Sequence, residues 1–415
     1  MKILFVCHRL PYPPTRGGKI RPFHIIRHLG ERHDVTVASL ARSPAELEAG
    51  AGLTGHCSRL IAERVSAPAA LARMVARLPT TSPSSMGYFY SPALARRIRR
   101  EAAVIRFDLV FAHCAFVAPY IADVPAAAKM LDFGDVDSEK WLAYARARRF
   151  PLAAGYWLDG IKLRRVEARL ARGFDLCTCT TRAELAVLER YRVGVRLGWF
   201  PNGVDTEYFQ PEDTPYRADS VCFLGRMDYY PNQQGVLAFC RDVWPLVRAR
   251  RPAATFTIVG AAPSRRIRAL GELPGVTVTG AVSDVRPYCR SAAASVAPLA
   301  IARGTQNKIL EAMAMGVPTV VSPEARGGVD AEPGRHVLVA STPREFADAI
   351  IRIFDDPGER RRLSEAARAR VLSHHSWSRS MEVLDGLIEE CRELGRGRGR
   401  QPAGIGSPGN GDAIR

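Results

Sequence analysis

Ala302–Gly316, ARGTQNKILEAMAMG, lies between two short apolar runs, Ala294–Leu299 (ASVAPL) and Pro318–Ser322 (PTVVS). The middle stretch is rich in Ile, Leu, Ala and Met and begins at a Gly304-Thr305 turn, so it reads as a helix with Thr305 as its N-cap. A buried strand, a helix and another buried strand in succession form a crossover unit, and its strands lie parallel in one sheet.

The same alternation runs along the chain. Lys2–Cys7, Asp34–Leu40, Asp108–Ala112, Lys129–Phe133 and Phe174–Thr178 are apolar strand-like runs. After residue 201 the series restarts with Val221–Gly225, Ala254–Gly260 and Val276–Gly280, continues through the two runs flanking the helix, and ends at His336–Ala340. Two such series predict an α/β protein of two doubly wound, parallel-sheet, Rossmann-like domains. At 415 residues the chain is long enough for both. Phe200–Pro211 (FPNGVDTEYFQP) is rich in turn formers and lacks periodicity, which marks a junction. The expected division is therefore 1–200, 201–375, a C-terminal helix at 376–394 that can cross back to the first domain, and a disordered Gly/Pro/Arg tail at 395–415.

Hydrophobic content of 47% and charged content of 24% indicate a folded globular protein. The net charge of +17 is uneven: residues 1–200 hold 31 basic and 17 acidic residues, a net of +14, leaving +3 for the rest. A positive first half attracts phosphates, nucleic acid or an anionic membrane, unless it is only a solvated arginine-rich surface. The nine cysteines form no CxxC pair or metal-ligand cluster, pointing to reduced thiols in a cytoplasmic protein. KILFVC is too short for the core of a secretory signal, and no apolar run approaches the ~20 residues of a spanning helix. Any membrane contact is expected to be peripheral.

Lys308 and Glu311 stand three apart on one helix face. They are either an ordinary exposed pair or part of a phosphate site, where the helix N-terminus receives the anion, Lys308 adds a cation and Glu311 accepts hydrogen bonds from sugar hydroxyls. Gly17 and Gly18 precede a helix and allow close backbone approach, or simply turn the chain. His113 ends an apolar strand, where it is either structural or faces a ligand. Asp135, Asp137 and Lys140 follow another strand end; they suit acceptor contacts, with helix capping and a metal-binding DxD as the alternatives.

Several of these stretches together resemble family 4 (group 1) glycosyltransferases of the GT-B fold. LEAMAMGVPTVV (Leu310–Val321) is similar to the family's EAMAxGxPVV run, PPTRGGKIRPFHIIRHL (13–29) to its glycine loop, and DLVFAHC (108–114) to its strand ending in histidine. FPNGVDTEYF (200–209) resembles its interdomain linker, FLGRMDYYPNQQGV (223–236) its GRlxxxKG loop, and SWSRSMEVL (376–384) its returning helix. LDFGDVDSEKW (131–141), together with ARGTQNKILEAMAMG (302–316), resembles a subgroup of sugar transferases associated with bacterial exopolysaccharide synthesis and exosortase-type sorting systems.

The resemblance implies a retaining, metal-independent hexosyltransferase that needs no cofactor. Its partners would be a nucleotide-diphosphate sugar donor and a glycan or lipid-linked acceptor, with possible peripheral contact at the inner face of an anionic cytoplasmic membrane and no nucleic acid. His113, Arg226 and Lys308 take catalytic roles. Gly17, Gly18, Arg303, Gly304, Thr305 and Glu311 hold the donor, and Asp135, Asp137 and Lys140 the acceptor. Two positions depart from the pattern. The lysine expected soon after Arg226 is missing, with Asn232 nearby, and Lys308 is its replacement. Arg303 stands where the family has a glutamate, and a guanidinium accepts no hydrogen bonds, so the donor pose must differ. A polyanion-binding α/β protein and a nucleotide-sugar epimerase of the same fold are the alternatives.

Overall fold

The computed structural model describes residues 1–15 and 17–400, the last three by backbone only. Seven strands, β1 (Lys2–Cys7), β2 (Asp34–Ala41), β3 (Arg59–Arg64), β4 (Phe107–His113), β5 (Ala126–Asp132), β6 (Leu176–Cys179) and β7 (Arg196–Trp199), form one sheet in the order β3-β2-β1-β4-β5-β6-β7. The second sheet has β8 (Arg217–Leu224), β9 (Thr255–Val259), β10 (Val276–Gly280), β11 (Ala292–Ala297), β12 (Thr319–Val321) and β13 (Leu338–Val339), in the order β10-β9-β8-β11-β12-β13. Every pairing is parallel. The central strands are buried along nearly their whole length because helices cover both faces.

Strand order reverses between β1 and β4 in the first sheet and between β8 and β11 in the second. Such switch points open a crevice beyond the strands' C-terminal ends, where ligands bind in doubly wound sheets. His113 ends β4, and Arg226 lies just past β8.

The chain passes between sheets in the segment joining Trp199 to Arg217, and it returns beside that crossing. Val204 N donates to His375 O at 2.7 Å, and the Gly203 backbone is packed against Trp377. The helix Trp377–Arg400 then lies on the first sheet. Its Met381, Leu384, Ile388 and Cys391 join the core of Phe5, Leu109, Met130 and Leu176, while His28 and Arg32 pair with Asp385.

This helix runs to Arg400, past Gly395, where the sequence alone starts a disordered tail. Gly395 is pressed against Ala127 of β5, where even a Cβ would collide, so packing carries the helix into the Gly/Arg stretch. Residues 401–415 of the expected tail lie outside the described residues.

Candidate active site

On the first lobe, register brings the ends of β4 and β5 together, His113 opposite Asp132. His113 Nδ1 lies 2.8 Å from Asp132 Oδ2. Arg21, one turn into the helix that begins at Gly17, grips the same carboxylate with Nε to Oδ2 at 2.8 Å and Nη2 to Oδ1 at 3.0 Å. Thr178 Oγ1 donates to Oδ1 at 2.9 Å. Burial pushes the Asp132 carboxyl up, but Arg21 and His113 outweigh it and hold it well below the usual carboxylate range. The carboxylate is therefore ionised and fixes His113 with Nδ1 as the donor, so that Nε2 points away from it and is the acceptor in that neutral tautomer.

Arg21 also donates through Nη1 to Phe200 O and Asn202 Oδ1, both at 3.0 Å, and its guanidinium stacks on the Phe200 ring. The glycine-loop helix, the histidine strand and the interlobe crossing thus share one buried arginine. Sequence reading missed Arg21 and Asp132. The available signal was a carboxylate at the C-terminal end of an apolar strand.

On the second lobe, Arg226 makes a bidentate pair with Asp228, Nε–Oδ1 at 3.0 Å and Nη2–Oδ2 at 2.7 Å, and its side chain is 39% exposed. Asn232 Nδ2 donates to Arg226 O at 2.8 Å, and Lys308 Nζ donates to Asn232 Oδ1. Lys308 therefore reaches the loop in which the sequence lacks a lysine, with its ammonium 4.7 Å above the Phe223 ring. It makes no ion pair with Glu311 among the described residues. Burial pulls the Lys308 ammonium down to about 7 and pushes the Glu311 carboxyl up to about 7, each opposed by the other's charge.

The helix itself spans Asn307–Ala314, and its N-cap is Gln306, not Thr305. Gly304 turns the chain at φ +62°, and the Gln306 side chain folds back to Arg303 O at 3.2 Å, so Thr305 falls in the approach to the helix.

The two lobes meet along a seam. A Cβ on Gly17 would sit 3.9 Å from Asn307 Nδ2, so the glycine loop faces the helix N-terminus; Gly18 lies against Arg9. A Cβ on Gly304 would lie 1.7 Å from Asp135 Oδ1, so only glycine fits there. Arg303 Nε approaches Glu184 Oε1 at 3.2 Å. Glu184, 2% exposed, opens the helix Arg182–Arg190 on the first lobe and accepts Val136 N through Oε2 at 2.8 Å. Burial and then Asp135 push the Glu184 carboxyl up to about 7, against the pull of Arg303.

The structure thus sets Arg303 on a carboxylate of the opposite lobe and Asp135 against the donor-side loop. Asp137 and Lys140 pair at 3.7 Å behind them on the helix Asp137–Ala147. Burial raises Asp137, opposed by Lys140. Burial also pulls Lys140 down, but Asp137 and Tyr229 outweigh it, so Lys140 is raised as well. Beneath them the buried Glu167 takes hydrogen bonds from Ser138 and Tyr191, and burial pushes it to about 8. Among the described residues, no group of three or more His, Cys, Asp or Glu is placed to share a metal ion.

The assembled crevice offers two cations and a helix N-terminus on one side and an oriented histidine on the other. That set can hold a diphosphate and a sugar in register.

Comparison with known proteins reaches both lobes. Residues 16–208 match a family model described as Glycosyltransferase Family 4, and residues 218–356 one described as Glycosyl transferases group 1. The chain is similar to a sucrose-phosphate synthase from Thermosynechococcus elongatus, with TM-score 0.68 and 18% identity over 94% of this chain and 98% of that one. Anabaena Alr3699/HepE, solved in complex with UDP, gives 0.66 and 16% over 94% and 100%. TarM gives 0.65 and 11% over 93% and 98%, and an S. aureus TarM mutant solved with Fondaparinux, alpha-GlcNAc-glycerol and UDP gives 0.64 and 11% over 93% and 99%. A search of curated protein sequences finds no match. At these identities the solved structures establish the fold, which is the two-lobed GT-B arrangement.

Proposed function

From a chain that carries glycosyltransferase family 4 and group 1 domains on its two lobes, we propose a retaining transfer of a hexosyl unit from a nucleoside-diphosphate sugar to a glycan or lipid-linked acceptor. The observation that carries this reading is the seam at Gly17 and Asn307. It brings the loop after β1 against a helix N-terminus, with Lys308 and Arg226 alongside. As the bond from the anomeric carbon to the diphosphate breaks, negative charge grows on the departing oxygen. Arg226, Lys308 and the N-terminus at Gly304–Asn307 stabilise it from fixed positions, and we assign this role to them rather than to a metal.

Asp228 orients Arg226 until the diphosphate competes for it. Glu311, farther along the same helix, is suited to the ribose hydroxyls. His113 Nε2, left as an acceptor by Asp132, suits a hydroxyl of the transferred sugar near the reacting carbon. The acceptor hydroxyl attacks from the face that the diphosphate leaves, so no protein nucleophile is required. Asp137 and Lys140 lie on the acceptor side. Asp135, caught against Gly304, would report closure of the lobes.

A peripheral contact with an anionic membrane fits the helix Leu152–Ala171 and the corner before it. Phe150 is 85% exposed, with Leu152 and Trp157 beside it, and Arg146, Arg148, Arg149, Lys162 and Arg165 supply positive charge. No described helix is long and apolar enough to cross a membrane. The biological setting we propose, exopolysaccharide synthesis at the cytoplasmic face of a bacterial membrane, rests on the resemblance of residues 131–141 together with 302–316.

A thermal-shift panel of UDP, GDP, ADP and their sugars tests the donor site. Selective binding at a hundred times Kd stabilises the fold by about 2.7 kcal/mol, and a panel without any shift refutes the reading. Flotation with vesicles, with and without anionic lipid at low salt, tests the membrane contact; equal recovery from both refutes it.

A further inference from the structure

Three successive strands of the first sheet end beside an arginine. Arg9 lies two residues past β1, Arg42 directly follows β2, and Arg64 is the last residue of β3, in register with Ala41. The strand order β3-β2-β1-β4 makes these a row that leads away from His113 toward the sheet edge. With strands about 4.8 Å apart, the ends of β2 and β3 lie roughly 10 and 14 Å from that of β4.

The row is only partly offset, by the charge of Glu46 on Arg9 and Arg42 and of Asp137 on Arg9. Glu46 is paired with Lys19 and accepts the Arg42 backbone N–H, and Glu63 is paired with Arg97. Arg9 and Arg64 make no side-chain hydrogen bond or ion pair among the described residues. Arg42 is held flat, its guanidinium 4.2 Å from the Tyr88 ring centre and 5.0 Å from that of Phe89. Its Nη1 reaches Tyr88 O at 3.4 Å, while Nη2 is buried without a partner. Burial lowers the Arg42 pKa, and the like charges of Arg9 and Arg73 lower it further against the pull of Tyr88 and Glu46. At the end of the row Arg64, Arg73, Ser66 and Ser91 line a cavity of about 170 Å³. Planar, oriented guanidinium groups with unmet donors match tetrahedral phosphate oxygens.

We infer that the acceptor is itself anionic, carrying a phosphate or diphosphate group seated on the Arg9–Arg42–Arg64 row, roughly 5–14 Å from the end of β4 where His113 stands. The inference rests on the glycosyl-transfer reading, because it assigns the first lobe to the acceptor. Arg226 and Lys308 lie on the second lobe and the arginine row on the first, with Arg9 against Gly18 of the glycine loop, and the proposal gives the two anions separate seats.

The test is calorimetric titration of the full chain with inorganic pyrophosphate, with and without saturating UDP. Pyrophosphate should still bind when UDP occupies the cleft, and the Arg9→Gln/Arg64→Gln variant should weaken that binding about tenfold or more. Both positions are solvent-facing, so the variant should fold; Arg42→Gln, checked by its melting curve, should act in the same direction. Pyrophosphate that UDP displaces entirely, or that binds the double variant as it binds wild type, overturns the inference. So does binding to phosphatidic acid vesicles without any binding of soluble pyrophosphate, which would make the row a lipid-headgroup surface. If UDP itself fails to bind, the donor reading falls, whereas the pyrophosphate titration still reports on the row.

Discussion

Gly304→Ala tests whether the seam is as tight as the structure shows. The residue sits at φ +62°, which costs a side-chain-bearing residue roughly 1–2 kcal/mol. The new Cβ would also stand 1.7, 2.3 and 2.6 Å from the Oδ1, Cγ and Oδ2 atoms of Asp135. That carboxylate must withdraw and give up its 3.3 Å bond from Thr180 Oγ1, worth about 1 kcal/mol. The loop therefore relaxes away from the first lobe, and a bound nucleotide has to pull it back. The summed cost of about 2–3 kcal/mol corresponds to a roughly 30- to 150-fold loss of UDP affinity by calorimetry. Asp135→Ala in the same chain removes the collision but not the backbone strain, so Gly304→Ala/Asp135→Ala should recover to a loss of roughly 5- to 30-fold. Asp135→Ala alone closes the cycle. The thermal midpoint should move little, because the residue lies between the two cores and not within either. A Gly304→Ala protein that binds UDP like wild type, or a double variant no better than the single, refutes the packing argument.

Lys308 and Glu311 both titrate near pH 7, and deprotonation of either makes the site more negative. Affinity for a nucleoside-diphosphate sugar should therefore fall as pH rises from about 6 to 8, and Lys308→Ala should bind it about 10- to 100-fold more weakly with a flatter profile. Glu167, pushed by burial to about 8, keeps its proton in the folded chain from the ordinary glutamate value of 4.5 upward, where the unfolded chain has lost it. Stability thus falls with rising pH across that window, and Glu167→Gln should flatten the slope of the melting midpoint between pH 5 and 8. Asp132→Asn leaves Arg21 facing an amide N–H in the core and should destabilise the first lobe by about 3–5 kcal/mol. Arg21→Met/Asp132→Leu should recover much of that in denaturant melts, and a double variant worse than Asp132→Asn contradicts the pairing.

The central strands were legible because a strand buried on both faces writes an unbroken apolar run, as KILFVC and VCFLG do. Arg59–Arg64 (RLIAER) and Arg196–Trp199 (RLGW) did not stand out, since each lies at a sheet edge where charged residues and short length are tolerated. His113 and Lys308 could be singled out for the same local reason: a strand end and a helix start announce themselves in a few residues. Asp132 carries the same strand-end signal, but its meaning lies in Arg21, 111 residues earlier, and the strand pattern absorbs it as one more core position.

Arg303 shows how far that limit extends. Read alone, a guanidinium in place of a carboxylate looks like a lost hydrogen-bond acceptor and a changed donor pose. In the folded chain it meets Glu184, a carboxylate contributed by the other lobe. Glu184 also holds the Val136 amide between Asp135 and Asp137, so the ion pair links the Arg303 loop to the loop after β5. The charge at position 303 is balanced across the seam and not within its own loop. A single-position comparison cannot register that balance while the partner is unknown.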